Sequence, residues 1–349
     1  METTTIHEAV REHYGELART AGACGCNSSL YDATLIQEMP SDISGFSLGC
    51  GDPITLAKLQ SGETVLDLGS GGGLDCFLAA QQVGESGHVI GVDMTPDMLN
   101  KARANAERLK VQNVEFRESY LEALPVEDGS IDVVISNCVI NLSPDKPQVF
   151  REIFRVLRSP DAVTGRPGGR VAVSDIVTNG ALPEAVQQSM ESWGACVAGA
   201  LDQRDYVRGL REAGFVDVQV QPKGQADQAL ASLPIGVPFS ATITATRPAG
   251  VIAAEPEVIP LDVMQPRTGQ FDQLLSQVDA LDTFDDGYDL RVKGDPAAIR
   301  AQVEALSVVA SCCSPLQFNV VEAADGVHVR IVNTAARQPA ATKAAGCCN

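Results

Sequence analysis

The chain has 349 residues, with 45 acidic against 26 basic side chains and a formal net charge of −19. This length predicts two domains, and the negative charge argues against nucleic acid and anionic lipid as partners. Residues 1–17 are polar and carry acids, and no run of about 18 apolar residues occurs, so we predict neither a targeting peptide nor a membrane span. We therefore expect a cytoplasmic monomer that binds a small neutral or thiol-bound ligand.

Residues 1–20 are predicted to form an amphipathic helix, and residues 21–61 a Gly-, Ser-, Asp- and Cys-rich segment. From residue 62 the pattern alternates between strand and helix, which is typical of a parallel sheet with helices on its faces. The predicted elements in chain order are strand "TVLDLG", helix "LDCFLAAQQV", strand "GHVIGVD", helix "PDMLNKARANAERLK", strands "VEFRES" and "IDVVISN", helix "KPQVFREIFRVLR", strand "GRVAVSDIV", helices "PEAVQQSMESWGACVAGAL" and "QRDYVRGLREAGF", and strands "VDVQVQP" and "SATITATRP". Asp97 and Arg108 suit the two ends of their helix dipole, and Gly214 caps the last helix. We predict a doubly wound, Rossmann-like α/β sheet over residues 62–247, with the last two strands as an antiparallel edge.

The last hundred residues are predicted to form a separate unit. Residues 248–265 are rich in Pro and Ala and indicate a linker. Residues 266–333 contain "DLRVKG", "DPAAIRAQVEAL", "LQFNVVEA" and "GVHVRIVN", which predict strand, helix, strand and strand in a small α+β domain, with a hairpin turn at Asp325 and Gly326. Residues 334–349 have a composition typical of a disordered tail that carries cysteines.

A glycine cluster follows the first strong strand, in "VLDLGSGGGLD". Glycines between a strand and a helix let the backbone approach a ligand closely, and the helix N-terminus offers free N–H groups. The dinucleotide fingerprint fits poorly, because Leu74 stands where its third glycine belongs. Glycines at alternate positions, with Asp67 before them, look like the first motif of the class I S-adenosylmethionine methyltransferases, and Asp93 ends the second strand.

This interpretation gives a set of predicted S-adenosylmethionine contacts at the strand ends. Asp93 can accept hydrogen bonds from both ribose hydroxyls, and Ser119 and Tyr120, after the third strand, could approach the adenine. The predicted cofactor-binding residues are Asp67, Gly69, Ser70, Gly71, Gly73, Asp93, Met94, Ser119, Tyr120 and Asn137.

Ten cysteines in a chain without an export signal are the unusual feature of the composition. Cytosolic cysteines more often bind a metal or metalloid, or do redox chemistry, than form a static disulfide framework. Cys138 ends the fourth strand, Cys196 follows the fifth, and Cys50 precedes the first. Ligands bind beyond the carboxyl ends of the strands in doubly wound sheets, so these three thiols are predicted to converge there. Cys76, on the helix after the glycines, is predicted to be a packed small residue.

Three single thiolates from distant segments favour a soft, thiophilic centre. Structural zinc sites take four ligands, which often come from CxxC pairs. The three cysteines Cys50, Cys138 and Cys196 do not belong to such pairs. Trivalent arsenic prefers three thiolates and keeps a lone pair that can attack an electrophilic methyl group. We therefore predict an As(III) site formed by Cys50, Cys138 and Cys196.

Four segments together resemble the S-adenosylmethionine-dependent arsenite methyltransferases: "SNCVINLSPDK", "WGACVAGAL", "LGCGDP" and "VREHYGE". The resemblance covers residues 7–247. It implies that Cys138 and Cys196 are the arsenic-binding pair, that Cys50 is a third thiol, and that Cys24 or Cys26 is a fourth, near the N-terminus. The last two would also take part in redox cycling, and the choice between Cys24 and Cys26 stays open. The insert "SPDAVTGRPGGR" departs from the family by lengthening the loop before the fifth strand.

The expected function is methylation of arsenite and methylarsenite for detoxification, with glutathione or thioredoxin as the external thiol reductant. Two other functions remain open on the sequence. The acceptor could be a small carbon compound of the quinone or sterol type, or the chain could be a thiol-rich protein that sequesters a metalloid. The number of methylation rounds is also open, as are the roles of the adjacent pairs Cys312–Cys313 and Cys347–Cys348.

Overall fold

The computed structural model describes residues 3–20, 31–37, 39–182, 186, 197–231, 237–249, 277–284, 287–309, 316–323 and 326–333. Several sequence-based predictions lie outside these ranges. They concern Cys24, Cys26, Cys196, both adjacent cysteine pairs, most of the predicted helix over residues 183–201, the linker beyond residue 249 and the tail from residue 334.

The larger unit is built on a single mixed sheet. Its strands are β1 (Thr64–Leu68), β2 (His88–Asp93), β3 (Val114–Glu118), β4 (Val133–Asn137), β5 (Arg170–Thr178), β6 (Leu201–Asp202), β7 (Val216–Pro222) and β8 (Pro238–Thr246). The strand order is β3-β2-β1-β4-β5-β8-β7, and the short β6 pairs with β5. The first five strands of this order are parallel, β8 runs antiparallel to β5, and β7 antiparallel to β8. This confirms the predicted doubly wound sheet and its antiparallel edge.

Helices cover the sheet and extend over its carboxyl edge. They are α1 (Thr3–Thr20), α2 (Ala33–Ile36), α3 (Ser41–Ser44), α4 (Pro53–Ala57), α5 (Leu74–Val83), α6 (Pro96–Leu109), α7 (Lys146–Val156), α8 (Gln203–Glu212) and α9 (Gln225–Ala231), with a 3₁₀ turn at Ile140–Leu142. Strand β6 and helix α9 were not predicted from the sequence. Both are short, so neither gives a clear hydrophobic period.

The central strands are buried on both faces, which is why they appear in the sequence as continuous apolar runs. Leu66 and Val134 belong to one core cluster, while Val65 and Ile135 belong to another that includes Phe77 of α5. All five side chains are fully buried. Burying each one contributes about 1.5–3 kcal/mol relative to an exposed side chain, so the two helical layers hold the strand ends in place.

Helix α6 ties the N-terminal segment to the sheet. Asp97 lies in its first turn and Arg108 in its last, as predicted. Each also forms an ion pair with the N-terminal segment: Arg19 of α1 lies 2.5 Å from Asp97, and Arg108 lies 2.8 Å from Asp42 of α3. Exposed pairs of this kind contribute little to stability because solvent screens them, so they orient α1 and α3 more than they stabilise them.

The C-terminal unit is a four-stranded antiparallel sheet with one helix. Its elements are β9 (Val278–Phe284), β10 (Gly287–Val292), α10 (Pro296–Val309), β11 (Leu316–Ala323) and β12 (Gly326–Asn333). The strand order is β11-β12-β10-β9, and Ala323 pairs with Gly326 at the predicted hairpin.

The predicted strand, helix, strand, strand pattern therefore lacked its first strand, β9. Two acids weaken the strand signal in "VDALDTF". In the structure Asp279 is 2.8 Å from Arg291 on the adjacent strand β10 and 3.0 Å from Lys293 just beyond it. Cross-strand charge pairing of this kind can be recognised only once the strands are aligned.

None of the helices in the described ranges is long and apolar enough to cross a bilayer.

We predict that residues 1–247 fold without the rest of the chain. Strand β8 ends at Thr246, and Arg247 anchors it by donating a 2.7 Å hydrogen bond to the carbonyl of Phe154. The shortened chain should unfold cooperatively, with a midpoint within about 4 °C of the corresponding transition in the full chain, which is about 1 kcal/mol for a domain of this size. Scanning calorimetry of both chains measures this. A truncated chain that lacks a cooperative transition would contradict the predicted domain boundary.

Candidate active site

A cavity of about 950 Å³, counting its open mouth, lies at the carboxyl ends of the parallel strands. The turns after β1, β2, β3 and β4 line it, and the N-terminal segment contributes α1 and residues 46–49. Its lining combines apolar side chains with a small number of polar groups, as small-molecule and cofactor pockets do. It lies where the strand order reverses between β1 and β4, the position at which doubly wound sheets bind ligands.

The glycine loop forms the floor of this cavity. Gly69, Gly71 and Gly73 all have positive φ angles, a conformation that favours glycine. A Cβ built on Gly71 meets no atom within 4 Å, so this glycine faces open space. A Cβ on Gly73 would lie 2.7 Å from the Phe77 ring of α5 and 3.1 Å from the Phe116 ring of β3. Gly71 therefore leaves room for a ligand, and Gly73 allows α5 to begin close to the sheet.

Eight of the ten predicted cofactor residues line the cavity. They are Gly69, Ser70, Gly71, Asp93, Met94, Ser119, Tyr120 and Asn137. Asp67 and Gly73 do not. Asp67 is 2% exposed, and its carboxylate accepts a hydrogen bond from the Cys76 thiol over 3.2 Å. These two residues lie beneath the lining and support the loop. Cys76 is packed, as predicted.

Asp93 links the second strand to the glycine loop. One carboxylate oxygen accepts a 2.9 Å hydrogen bond from the Gly71 N–H, and the other accepts one of 2.8 Å from the Thr95 N–H. Burial raises the pKa of the Asp93 carboxyl, and the backbone hydrogen bonds partly offset that effect. The Thr95 side chain and the Met94 N–H also hydrogen-bond to this carboxylate, so Asp93 holds the glycine loop and the start of the next helix together beside the cavity.

Asp75 also lines the cavity, although it was not among the residues predicted from the sequence. It lies in the first turn of α5, and its Oδ1 atom is buried without a hydrogen-bond partner, as is the Ser70 hydroxyl nearby in the loop. Burial raises the pKa of the Asp75 carboxyl to about 6, and hydrogen bonds from Tyr31 and Asn137 partly offset this shift. A buried carboxylate with an unused oxygen in a cavity is suited to a cationic ligand. The sequence signal available was the acid directly after the glycine loop.

The side-chain amide of Asn137, at the end of β4, holds the Cys50 loop against the sheet. Its oxygen accepts hydrogen bonds from the N–H groups of Cys50 (2.9 Å) and Gly51 (3.1 Å). Its nitrogen lies within hydrogen-bond distance of the Gly51 carbonyl (2.8 Å), the Tyr31 hydroxyl (3.0 Å) and Asp75 (3.2 Å). Its two N–H groups are shared among these three acceptors, so no donor or acceptor of the amide is left unused. Asn137 lines the cavity, and its amide positions protein groups.

Cys50 and Cys138 are joined by a disulfide across 88 residues of sequence, with their Cα atoms 5.9 Å apart. Cys138 directly follows β4 with a φ of 59°, so the backbone turns sharply there, and its N–H donates to the Ser174 carbonyl of β5 over 2.8 Å. Cys138 is 5% exposed and lines the cavity. The structure therefore places two of the three predicted arsenic ligands together, at the predicted edge of the sheet.

Helix α1 closes one side of the cavity. Val10 and Tyr14 line it, and the His7 ring stacks on that of Tyr120 with 4.6 Å between centroids. His7 also donates a 3.1 Å hydrogen bond to Glu122, a carboxylate that accepts a second hydrogen bond from Ser143. The helix is thus held by residues that follow β3 and β4, which belong to two of the turns that line the cavity.

Cys196, Cys24 and Cys26 lie outside the described residues, so the convergence of thiols is observed for Cys50 and Cys138 alone. Among the residues that the structure describes, no group of three or more His, Cys, Asp or Glu side chains is arranged to hold a metal ion.

Comparison with known proteins identifies relatives of this chain. A family model described as a methyltransferase domain matches residues 59–214. The chain is 44% identical over 269 residues to an arsenite methyltransferase of Halobacterium salinarum, a match that covers 69% of this chain and 66% of that protein. It is 40% identical to an arsenite methyltransferase of Aquipseudomonas alcaligenes, covering 65% of this chain and 67% of the relative. The chain thus spans about two thirds of the length of these relatives.

A solved structure agrees with these sequence matches. The crystal structure of an arsenic(III) S-adenosylmethionine methyltransferase from Chlamydomonas reinhardtii is 36% identical, with a TM-score of 0.51. The match covers 64% of this chain and 74% of that one. The similarity confirms the class I methyltransferase fold that the glycine motif and the strand order predict.

We predict opposite effects of Asp75→Asn on stability and on affinity for S-adenosylmethionine. With a pKa of about 6 against the ordinary 3.8, the folded protein retains a proton that the unfolded chain loses. Stability therefore falls as pH rises from about 4 to about 6, and the loss persists above that window. The variant should be more stable than the parent at pH 7.5 by on the order of 2 kcal/mol, with little difference at pH 4, and should bind the cofactor at least about tenfold more weakly.

Denaturant unfolding at pH 4, 5.5 and 7.5, with calorimetry of cofactor binding, measures both effects. Glu85→Gln, which removes one exposed negative charge, is the matched control. Equal stability of parent and Asp75→Asn at pH 7.5, together with unchanged cofactor affinity, would remove Asp75 from the site.

Proposed function

Because the chain belongs to the arsenite methyltransferase family, we propose that it transfers methyl groups from S-adenosylmethionine to thiol-bound As(III), with arsenite and methylarsenite as substrates. One observation carries this proposal: Cys50 and Cys138, 88 residues apart in sequence, meet at the cavity edge. Two soft thiols beside a methyltransferase cofactor pocket suit a thiophilic acceptor better than a carbon compound.

The lining of the cavity fits the proposed cofactor. S-adenosylmethionine supplies a methyl group on a positively charged sulfur, so the acceptor needs a lone pair and no general base. Asp93 is suited to the ribose hydroxyls, and Ser119 and Tyr120 to the adenine. Asp75 would receive the ammonium group, for which its unpartnered oxygen is available. The buried carboxylates Asp75 and Asp93, whose pKa values are raised by burial, would gain a compensating charge from a cationic ligand.

The thiols would hold the acceptor. We propose that arsenite binds to Cys50, Cys138 and Cys196, each thiol replacing one hydroxide, which leaves with the thiol proton as water. Methylarsenite has one position filled by its methyl group and can take only two thiols, which we assign to Cys138 and Cys196. Sulfur ligands leave the lone pair on arsenic, directed at the methyl donor.

A redox step would complete each round. Methyl transfer raises the formal oxidation state of arsenic from three to five, and two thiols then supply two electrons by forming a disulfide. The closed Cys50–Cys138 pair supports the idea that thiols at this edge can form such a bond. Cys24 or Cys26 would exchange with this pair, and glutathione or thioredoxin would reduce the disulfide. A monomer in the cytoplasm, with residues 1–61 and 62–247 forming the catalytic part, completes the proposal.

The other two functions predict different behaviour. Methylation of a quinone- or sterol-type carbon would not depend on the cavity-edge thiols. A sequestering protein would bind arsenite without consuming cofactor, and the cofactor-shaped cavity with its glycine loop disfavours it. Anaerobic incubation with arsenite, labelled S-adenosylmethionine and glutathione, followed by arsenic speciation, separates the three possibilities. Labelled methylarsenic species are expected, and their absence from folded, reduced protein would refute the proposal.

We predict that the cysteines divide into two classes when each methylation round is assayed separately. Cys138→Ser and Cys196→Ser should abolish methylation of both arsenite and methylarsenite, because a hydroxyl is a hard, neutral replacement for a soft ligand. Cys50→Ser should abolish methylation of arsenite and spare that of supplied methylarsenite. Single-turnover assays on each substrate provide the measurement.

Cys76→Ser is the control, since Cys76 is buried away from the cavity and a hydroxyl can replace its hydrogen bond to Asp67. It should methylate both substrates. Methylation of methylarsenite by Cys138→Ser would show that the two-thiol site has been assigned incorrectly.

A further inference from the structure

The loop that carries Cys50 has little conformational preference of its own. Glycines flank Cys50 on both sides, and both are required by close packing. A Cβ on Gly49 would lie 2.2 Å from the Asn137 amide, and one on Gly51 would lie 1.8 Å from the Ser174 hydroxyl and 2.4 Å from the Lys223 ammonium. Because glycine is the most flexible residue in an unconstrained chain, other parts of the protein must fix this loop.

The backbone hydrogen bonds of the loop show which residues hold it. Asn137 pairs with the N–H groups of Cys50 and Gly51 and with the Gly51 carbonyl. The Cys50 carbonyl pairs with a different residue, accepting a 2.8 Å hydrogen bond from the Lys223 ammonium. Lys223 and Asn137 thus satisfy the Cys50 backbone between them, as a partly buried backbone requires.

Lys223 is itself held rigidly, although it lies 173 residues from Cys50 in the sequence. It directly follows β7, and its N–H donates to the Ser240 carbonyl of β8 over 3.0 Å. Asp227, in the first turn of the following helix α9, accepts hydrogen bonds from the N–H groups of Gly224 and Ser240. The ammonium therefore projects from the antiparallel edge of the sheet to the far side of the Cys50 loop.

We propose that Lys223 is a positioning residue that keeps Cys50 opposite Cys138 when the two sulfurs are not joined, so that the third thiol is available to arsenite. The proposal rests on the proposed function. Asn137 holds the loop from the β4 side and Lys223 from the β7 side. Without Lys223 the Cys50 carbonyl loses its charged donor, and the glycine-flanked loop can turn away from the site. Methylarsenite, which we assign to Cys138 and Cys196, would not require Lys223.

The test uses the full-length, reduced protein and measures equilibrium binding of arsenite and of methylarsenite, by dialysis and elemental mass spectrometry. Lys223→Met keeps the aliphatic stem and removes the ammonium. It should weaken arsenite binding about tenfold, as expected for a lost hydrogen bond from a charged group. Its affinities for methylarsenite and for S-adenosylmethionine should change less than about twofold on the same scale. Lys223→Arg should restore most of the arsenite affinity, and Lys110→Met, at an exposed position after α6, is the charge-matched control.

A double-mutant cycle separates positioning from a general structural role. If Lys223 acts through Cys50, then Lys223→Met has no further effect on arsenite binding in a Cys50→Ser background. An equal loss in both backgrounds, or arsenite binding by Lys223→Met equal to that of Lys110→Met, would overturn the proposal. If Lys223→Met fails to fold, Lys223→Gln, which is neutral and shorter, takes its place in the cycle. A parent protein that binds arsenite through Cys50 but forms no methylated product would refute the proposed function and leave the role of Lys223 intact.

Discussion

The candidate site depends on one side-chain amide, that of Asn137. It lies where β4 leaves the sheet and holds together Tyr31, the Cys50 loop and Asp75 of the first helix after the glycines. These groups come from three separate segments, and all of them are positioned by hydrogen bonds to the last residue of one buried strand. Because β4 is fixed by burial on both faces, the amide transmits the rigidity of the sheet to a loop that has little rigidity of its own. Loss of the amide would leave several buried polar groups without partners at once.

The same arrangement explains why a buried acid is tolerated beside the glycine loop. Asp75 is protonated more readily than an ordinary carboxyl because burial raises its pKa to about 6. An ionised group there lowers the stability of the empty protein at neutral pH, and a cationic ligand would offset that loss. Ligand affinity at this position is therefore gained at the expense of unliganded stability, a common exchange in functional sites. The Cys50–Cys138 pair depends on the same side-chain amide, because Asn137 also holds the loop that carries Cys50.

Much of the fold was predictable because it depends on local pattern. The parallel strands are apolar runs of the correct length, the helices between them have clear periodicity, and Gly214 ends α8 as expected. The prediction failed for elements that are very short, and for a strand whose unfavourable residues are compensated by contacts with its neighbours. Strand β9 was missed because Asp279 weakens its pattern, and the ion pairs with Arg291 and Lys293 that make the acid acceptable come from β10 and the residue just beyond it.

The sequence by itself determined the type of site: a glycine loop after a buried strand, an acid at the end of the next strand, and a thiol at the end of β4. Each of these follows from its position on a strand, because the carboxyl ends of parallel strands share one edge. Tertiary structure decided which side chains face the cavity and which hold the others in place. Asp67 lies beneath the lining, Asp75 keeps an unpaired oxygen, and Lys223 reaches Cys50 from 173 residues away. Such roles depend on distances between segments that are remote in the chain. Those distances are set only when the antiparallel edge and the N-terminal segment pack against the sheet.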